Sequence, residues 1–397
     1  MSILVFNGGS SSLKVQLYRN GRDDSLEPHL GGAVTGLGGR SHWRWRSPPG
    51  ETEGEAELSD HREAARWVLG RLRAANVAIE AVGHRVVHGG DIFKNPVRLT
   101  PETIARLASL NHLAPLHNPP ALDVIDECRK VLGADTPMVA VFDTAFHATL
   151  PEAARRYALP REWIDAYGIR RYGFHGLAHR YMYERYLQLD QSKSSARRVL
   201  TFQLGNGCSA CAIRDGRSVE TSMGYTPLEG LIMATRSGDV DPGVLVRVMA
   251  RGPGADTLER GLNHASGLLA LSGATADMRT LLALEADGHD GARLAVEAFC
   301  HRARKYLGAY LAVLGGADAI LFGGGIGENA PTIRARICAD MEWCGLRLDL
   351  NANNRARGSE QCVSAGQSSM AVYVIKVEEE LLIARDVQAL LGAKAVE

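Results

Sequence analysis

The chain opens on an apolar run, Ile3 to Phe6, breaks at NGGSSS (7–12), and resumes with alternating apolar residues at Leu13, Val15 and Leu17. A short apolar run, turn residues and then period-two alternation predict a β-hairpin close to the N-terminus. The same device returns in the other half of the chain. An apolar segment from Val199 to Leu204 meets GNGCS (205–209), and a second short strand, Ala210 to Ile213, ends at a DG turn. Between these copies the pattern is mixed. Residues 38–60 are rich in Gly, Pro and charge and predict a surface hairpin or loop. There His42, Trp43 and Trp45 alternate with arginine, as on a half-exposed strand rather than a nucleic-acid surface. Helical periodicity covers 61–75, and AVGHRVVH (81–88) reads as a buried strand entering a Gly-Gly loop. Thr100-Pro101 gives a capping residue followed by proline at the first helical position. A helix from Pro120 to Leu132 then precedes a strand from Met138 to Phe142. The organisation restarts after Pro151. Long helices are predicted near 291–315 and 331–344, with the strand Ala319 to Phe322 between them running into GGGIGEN (323–329).

At 397 residues the chain exceeds what one core usually supports. The expectation is two related α/β domains, each a mixed sheet flanked by helices: 1–150, rejoined by 385–397, and 151–384. Lys+Arg and Asp+Glu both total 45, which gives no basic excess for nucleic acid or an anionic membrane. The seven cysteines are scattered, with no CxxC pair and no Cys/His ligand spacing, so neither a disulfide framework nor a structural zinc site is indicated. MSILVFNGG lacks the features of a signal peptide, and no stretch reaches the roughly 20 apolar residues that span a bilayer. A cytoplasmic location is expected.

The turn residues carry the first chemistry. In NGGSSSLK (7–14), Gly8 and Gly9 let backbone approach a phosphate, Ser10 and Ser12 supply hydroxyl donors, and Lys14 adds a cation. One such turn reads as an ordinary hairpin. A second, at Leu204, Gly205, Asn206 and Gly207, suits a nucleotide clamped between domains. The third glycine-rich segment follows a strand and precedes a helix, a geometry that admits anions or a nucleotide against bare backbone. It is neither a dinucleotide fingerprint nor a P-loop.

Together these segments resemble the acetate kinase family, within the superfamily of sugar kinases, actin and heat-shock chaperone ATPases. The resemblance spans nearly the whole chain: NGGSSSLK (7–14), GHRVVHGG (83–90), LAPLHNPP (113–120), VFDTAFH (141–147), RRYGFHG (170–176), LGNG (204–207), TSMGYTPLEGL (221–231), TRSGDVDP (235–242), SGLLALSG (266–273), ADMR (276–279), GIGEN (325–329) and EELLIARD (379–386). It implies a duplicated actin-like, ribonuclease H-like fold with the active site in the interdomain cleft. It also implies reversible, magnesium-dependent, in-line phosphoryl transfer between ATP and acetate, with Mn2+ able to substitute, and a homodimer formed through the second domain.

By that resemblance Arg85 and Arg236 serve the carboxylate and the transferring phosphoryl group, and His175 stabilises that group. His117 has a similar claim, with fixing the loop backbone as its rival role. Asp143 is essential, as a base or as an organiser of magnesium and arginine. Acetate is already ionised at neutral pH, which favours the organising role. Asn7 and Glu379 are associated with magnesium. Asp277, Met278 and Arg279 form the adenosine side, with Gly325, Ile326, Gly327, Glu328 and Asn329 opposite. Val87, Leu116 and Pro119 are candidates for a small apolar acceptor pocket. One methylene discriminates by only about 1–3 kcal/mol in such a pocket, so propionate is the rival acceptor.

The chemistry agrees with the resemblance. Transfer of a γ-phosphoryl group needs positioning and charge neutralisation more than covalent help. An actin- or chaperone-like ATPase would leave LAPLHNPP and TSMGYTPLEGL unexplained. Three departures stand out: Gln203 replaces the family's histidine before LGNG, GGG replaces T-A-G before IGEN and is expected to loosen a loop, and Glu378 stands where the family commonly has asparagine. A neutral amide makes weaker hydrogen bonds to phosphate than a charged imidazole, so Gln203 motivates a second alternative, an attenuated paralogue.

Overall fold

The computed structural model describes residues 1–9, 11–21, 25–47, 50–190, 197–252 and 254–392. Ser10 therefore lies outside the described residues. The chain divides into two compact units, Met1–Ala145 rejoined at Glu378, and Phe146–Val377.

Unit 1 is built on β1 (Ser2–Gly8), β2 (Ser12–Asn20), β3 (Leu26–Thr35), β4 (Gly39–Ser47), β5 (Gly50–Leu58), β6 (Ala81–Val86), β7 (Val97–Arg98) and β8 (Met138–Phe142). They form one sheet in the order β5-β4-β3-β2-β1-β6-β8-β7. β1, β6 and β8 run parallel to one another, and the remaining pairings are antiparallel. The opening hairpin has the expected register, Ile3 against Tyr18 and Asn7 against Lys14. Of the two readings of residues 38–60, hairpin or loop, the structure has the hairpin: β4 and β5 pair along their whole length and extend the sheet. Their tryptophans explain why. Trp43 and Trp45 pack on Trp67, and the Arg71 guanidinium lies 4.6–5.7 Å from the three ring centroids.

Period-two alternation sends Leu13, Val15 and Leu17 to one sheet face, where they share a core with Leu4, Phe6, Val82, Val68 and Val124. The helices His61–Ala74 and Asn118–Leu132 cover that face. The C-terminal helix Glu379–Gly392 covers the other. It packs so closely that a Cβ on Gly83 would lie 2.7 Å from Ile383 and 2.9 Å from Val387. Thr100 caps the helix Pro101–Ala108 in a capping box, as its sequence requires.

Unit 2 carries β9 (Arg198–Leu204), β10 (Cys208–Arg214), β11 (Arg217–Thr221), β12 (Ala319–Gly323), β13 (Gln361–Cys362) and β14 (Ala371–Val374), in the order β11-β10-β9-β12-β14-β13. β9 is parallel to β12, and β12 to β14. The two sheets thus repeat one topology. An antiparallel three-strand meander (β3-β2-β1 or β11-β10-β9) continues into two parallel strands (β6-β8 or β12-β14) and a two-residue antiparallel strand (β7 or β13). This is the mixed-sheet, duplicated α/β architecture expected from the two copies of the hairpin device.

Two local expectations are corrected. The helix after Pro331 ends at Cys338, short of 344. The glycine-rich segment is no loop: a helix begins at Gly324 and runs to Asn329. Gly323 and Gly324 are tightly packed. A Cβ on Gly323 would meet Val377 at 2.5 Å and Met182 at 2.6 Å, and one on Gly324 would lie 2.6 Å from the Leu204 carbonyl. Gly324 also has φ of 77°, where glycine is favoured.

Candidate active site

In unit 1 the polar residues gather where three parallel strands end. Asn7 lies near the end of β1, Arg85 near the end of β6, and Asp143 directly follows β8. The register makes them neighbours, since Arg85 sits beside Val141 and Phe6 beside His84. Ligands of open α/β sheets bind outside the carboxyl ends of the strands, and these residues are in that position. Arg85 donates to Asp143 Oδ2, to the Gly8 carbonyl at 2.8 Å and to Asn7 Oδ1 at 3.3 Å. Asn7 Nδ2 donates to Glu379 at 2.9 Å and Glu380 at 2.8 Å. Burial acts to lower the Arg85 pKa, but Asp143, Glu379 and Glu380 outweigh it and hold the guanidinium above its ordinary value. Asp143 is 1% exposed, and its second oxygen, Oδ1, has no hydrogen-bond partner among the described residues.

The loop after β6 is tied to its surroundings by two side chains absent from the sequence reading. Asn118 accepts from the His88 amide at 3.1 Å and donates to the His88 carbonyl at 3.0 Å, while Thr144 accepts from the Gly89 amide at 3.0 Å. Val87 is buried in this loop, and His117 immediately precedes the helix containing Asn118 and Pro119. Leu116 is 52% exposed. At the first turn, His61 Nε2 donates to the Gly9 carbonyl at 2.7 Å. Ser12 starts β2, and Lys14 is exposed opposite Asn7.

Unit 2 gathers a different set. Leu204 pairs with Cys208, and the Gly205 amide donates to the Gly207 carbonyl at 3.1 Å, closing the Gly205-Asn206-Gly207 turn. The start of the helix Gly324–Asn329 lies alongside, with the Gly325 amide 4.0 Å from where a Gly205 Cβ would sit. Over the turn, a Cβ on Gly207 would be 3.1 Å from the His175 ring and 3.5 Å from Arg236 Nη1. The missing side chain therefore leaves a space bordered by an imidazole and a guanidinium. Arg236 donates to the Pro227 carbonyl at 3.2 Å and makes no ion pair with a carboxylate among the described residues. Burial lowers its pKa from arginine's ordinary value, yet a guanidinium stays charged at any working pH. A half-buried cation lacking an acid partner suits an anionic ligand. Gln203 stands at the end of β9 opposite Ser209, its Oε1 buried and unpartnered.

The remaining positions have structural duties. Asp277 caps the helix Met278–Ala286 by accepting from Thr280, which holds its carboxyl below the usual range; Met278 is buried and Arg279 exposed. Glu328 accepts from the Gly324 and Val377 amides at 3.0 and 3.1 Å, and Asn329 donates to the Gly325 carbonyl at 2.9 Å. Ile326 and Gly327 complete that short helix.

The acetokinase family model matches residues 2–385. This chain belongs to the acetokinase family. Among its relatives, the acetate kinase of Solibacter usitatus is 46% identical, with 99% of each chain covered. That of Chloroherpeton thalassium is 43% identical, covering 97% of this chain and 98% of its own. Two solved structures superpose closely. Porphyromonas gingivalis acetate kinase has a TM-score of 0.90 at 40% identity, and a propionate kinase from Francisella tularensis has 0.90 at 35%; each alignment covers 98% of this chain and 99% of the other.

Proposed function

We propose that the protein is an acetate kinase, which transfers a phosphoryl group reversibly between ATP and acetate. The observation that carries this reading is the space over Gly207, bordered by His175 and the acid-free Arg236, in a chain of the acetokinase family. In this reading Arg236 neutralises charge on the transferring group, and His175 donates a hydrogen bond to it as charge redistributes. The bare backbone of Gly205, Gly207 and Gly325 accepts phosphates, and Asp277, Met278 and Arg279, with the segment from Gly325 to Asn329 opposite, contribute the nucleoside side. Arg85 orients the acceptor carboxylate, and Asp143 holds Arg85. Val87 and Pro119 supply apolar contact.

Magnesium fits unit 1. The oxygens of Asn7 and Glu379, with the unpartnered Asp143 Oδ1, are hard donors. Mg2+ needs only one or two protein carboxylates when phosphates and waters complete its shell. Held there, it would neutralise charge on the phosphate oxygens.

The relatives at 42–46% identity favour acetate over propionate by name. A homodimer is also proposed, supported by the helix Pro242–Met249, which has no buried residue and exposes Val244, Val246, Val248 and Met249. A cytoplasmic location suits the nucleotide. No described helix is long and apolar enough to cross a membrane. Trapping acyl phosphate with hydroxylamine, using ATP and acetate, propionate or butyrate, tests the acceptor. Acetate should give the highest kcat/KM, and a higher value with propionate would reassign the substrate.

A further inference from the structure

Behind His175 lies a chain of side chains that the reaction itself does not touch. Thr201 Oγ1 is 2.7 Å from His179 Nδ1, His179 Nε2 is 2.8 Å from Ser209 Oγ, and Ser209 Oγ is 2.8 Å from His175 Nδ1. Thr201, His179 and Ser209 are each 0% exposed, so bulk solvent does not reach them. Burial, reinforced by His147 and His175, holds the His179 pKa well below the ordinary histidine value. The His179 ring is therefore neutral, with one nitrogen donating and the other accepting.

The chain can run in two directions, and the distances choose between them. In one, Ser209 donates to His179 and His179 donates to Thr201. The Thr201 hydroxyl proton is then left with only the Cys211 carbonyl, at 3.4 Å, beyond the usual O–H···O range. In the other, Thr201 donates to His179 Nδ1, His179 Nε2 donates to Ser209, and Ser209 donates to His175 Nδ1. Every hydrogen is then used once, over distances of 2.7–2.8 Å. His147 anchors the same loop. Its Nε2 lies 3.0 Å from the Phe174 carbonyl, an acceptor, and so carries the proton; its Nδ1 accepts from Ser218 at 2.8 Å. The carbonyl it holds immediately precedes His175, whose backbone is at a φ of 56°.

We propose that Thr201, His179 and Ser209 are positioning residues that keep His175 neutral with its proton on Nε2. That nitrogen faces the space over Gly207 and, without needing a second proton, donates to an anion there. The inference rests on the reading of His175 as a donor to the transferring phosphoryl group. A tautomer fixed in advance removes reorganisation at the moment of transfer.

The test is a long-range 1H–15N spectrum of full-length protein labelled at histidine nitrogens, recorded near pH 7.5 without substrate, with His175 assigned by loss of its signals in His175→Gln. The wild type should show protonated Nε2 and unprotonated Nδ1 at His175. Thr201→Val keeps the shape but removes the first donor. It should lower the Nε2–H population and reduce kcat about tenfold, with KM for ATP and acetate within about twofold. Thr201→Ser should restore both. A wild-type His175 protonated on Nδ1 overturns the proposal whether or not the variant folds. So does a Thr201→Val protein with the wild-type spectrum and kcat. Absence of acyl phosphate formation by the wild type would instead sink the functional reading, because the substrate-free spectrum judges the tautomer independently.

Discussion

A methyl group on Gly207 would sit 3.1 Å from the His175 ring and 3.5 Å from Arg236, inside the space assigned to the transferring group. Gly207→Ala is expected to lower kcat about tenfold or more, because the His175 ring must shift to admit the methyl; unchanged turnover would show that the space is not used. The pairing of Asp143 with Arg85 is buried, so Asp143→Ala leaves that guanidinium short of its nearest counter-charge. It should cost about 3 kcal/mol in urea unfolding and at least about 100-fold in kcat. Gln203→His restores a charge-capable donor, and turnover should rise about fivefold; no gain would dispose of the attenuated-paralogue alternative. Arg85, Asp143 and His175 stand out as candidates because each lies in a distinctive motif. Glu380, which shares Asn7 with Glu379, does not. It lies 373 residues from Asn7, and only the returning C-terminal helix brings them together. Ser209 and His179 were equally hidden, because a buried Ser and His carry no sign in sequence of whom they face.

Among the elements, the hairpin turns were readable because short apolar strands flank fixed turn residues. The segment that departs from its sequence reading is one in which glycine has two meanings. GGGIGEN looked like a loop, yet Gly323 and Gly324 are small because Val377, Met182 and the Leu204 backbone crowd them, and a helix starts there. Across 38–60, glycine, proline and charge leave hairpin and loop both open, and the structure takes the hairpin. The pairing is sustained by tryptophan packing on one face and Arg44–Glu51 and Arg40–Glu55 contacts on the other. The helix Pro242–Met249 poses the reverse problem, being apolar but uncovered. Val246 is 68% exposed, so Val246→Asp should barely affect a monomer. Light scattering after size-exclusion chromatography should show a dimer for the wild type and a monomer for the variant; a dimeric variant would remove this helix from the interface.

For the molecule as a whole, duplication is visible in the repeated strand–turn–strand pattern, and six strands of the first sheet repeat the order of the second, β4 and β5 being additions. Acid sensitivity was not visible. His84 is buried against Phe6 with neither ring nitrogen hydrogen-bonded among the described residues, and burial pushes its pKa down to about 3. Between the unfolded value of 6.5 and about 3, the unfolded chain binds a proton that the folded chain refuses. Stability should therefore fall as pH drops below about 6.5, by about 1.4 kcal/mol per unit from His84 alone. His179, also held low, adds a loss of the same sign. His84→Leu should flatten the dependence of the urea midpoint between pH 7.5 and 5.5, and an unchanged slope would contradict this. The central claim concerns chemistry, and the reverse reaction tests it most directly. Purified protein given ADP, magnesium and acetyl phosphate should produce ATP in a coupled assay, with Arg236→Ala reduced at least about 100-fold. No ATP from the wild type, in a preparation that still binds ADP, would contradict the account.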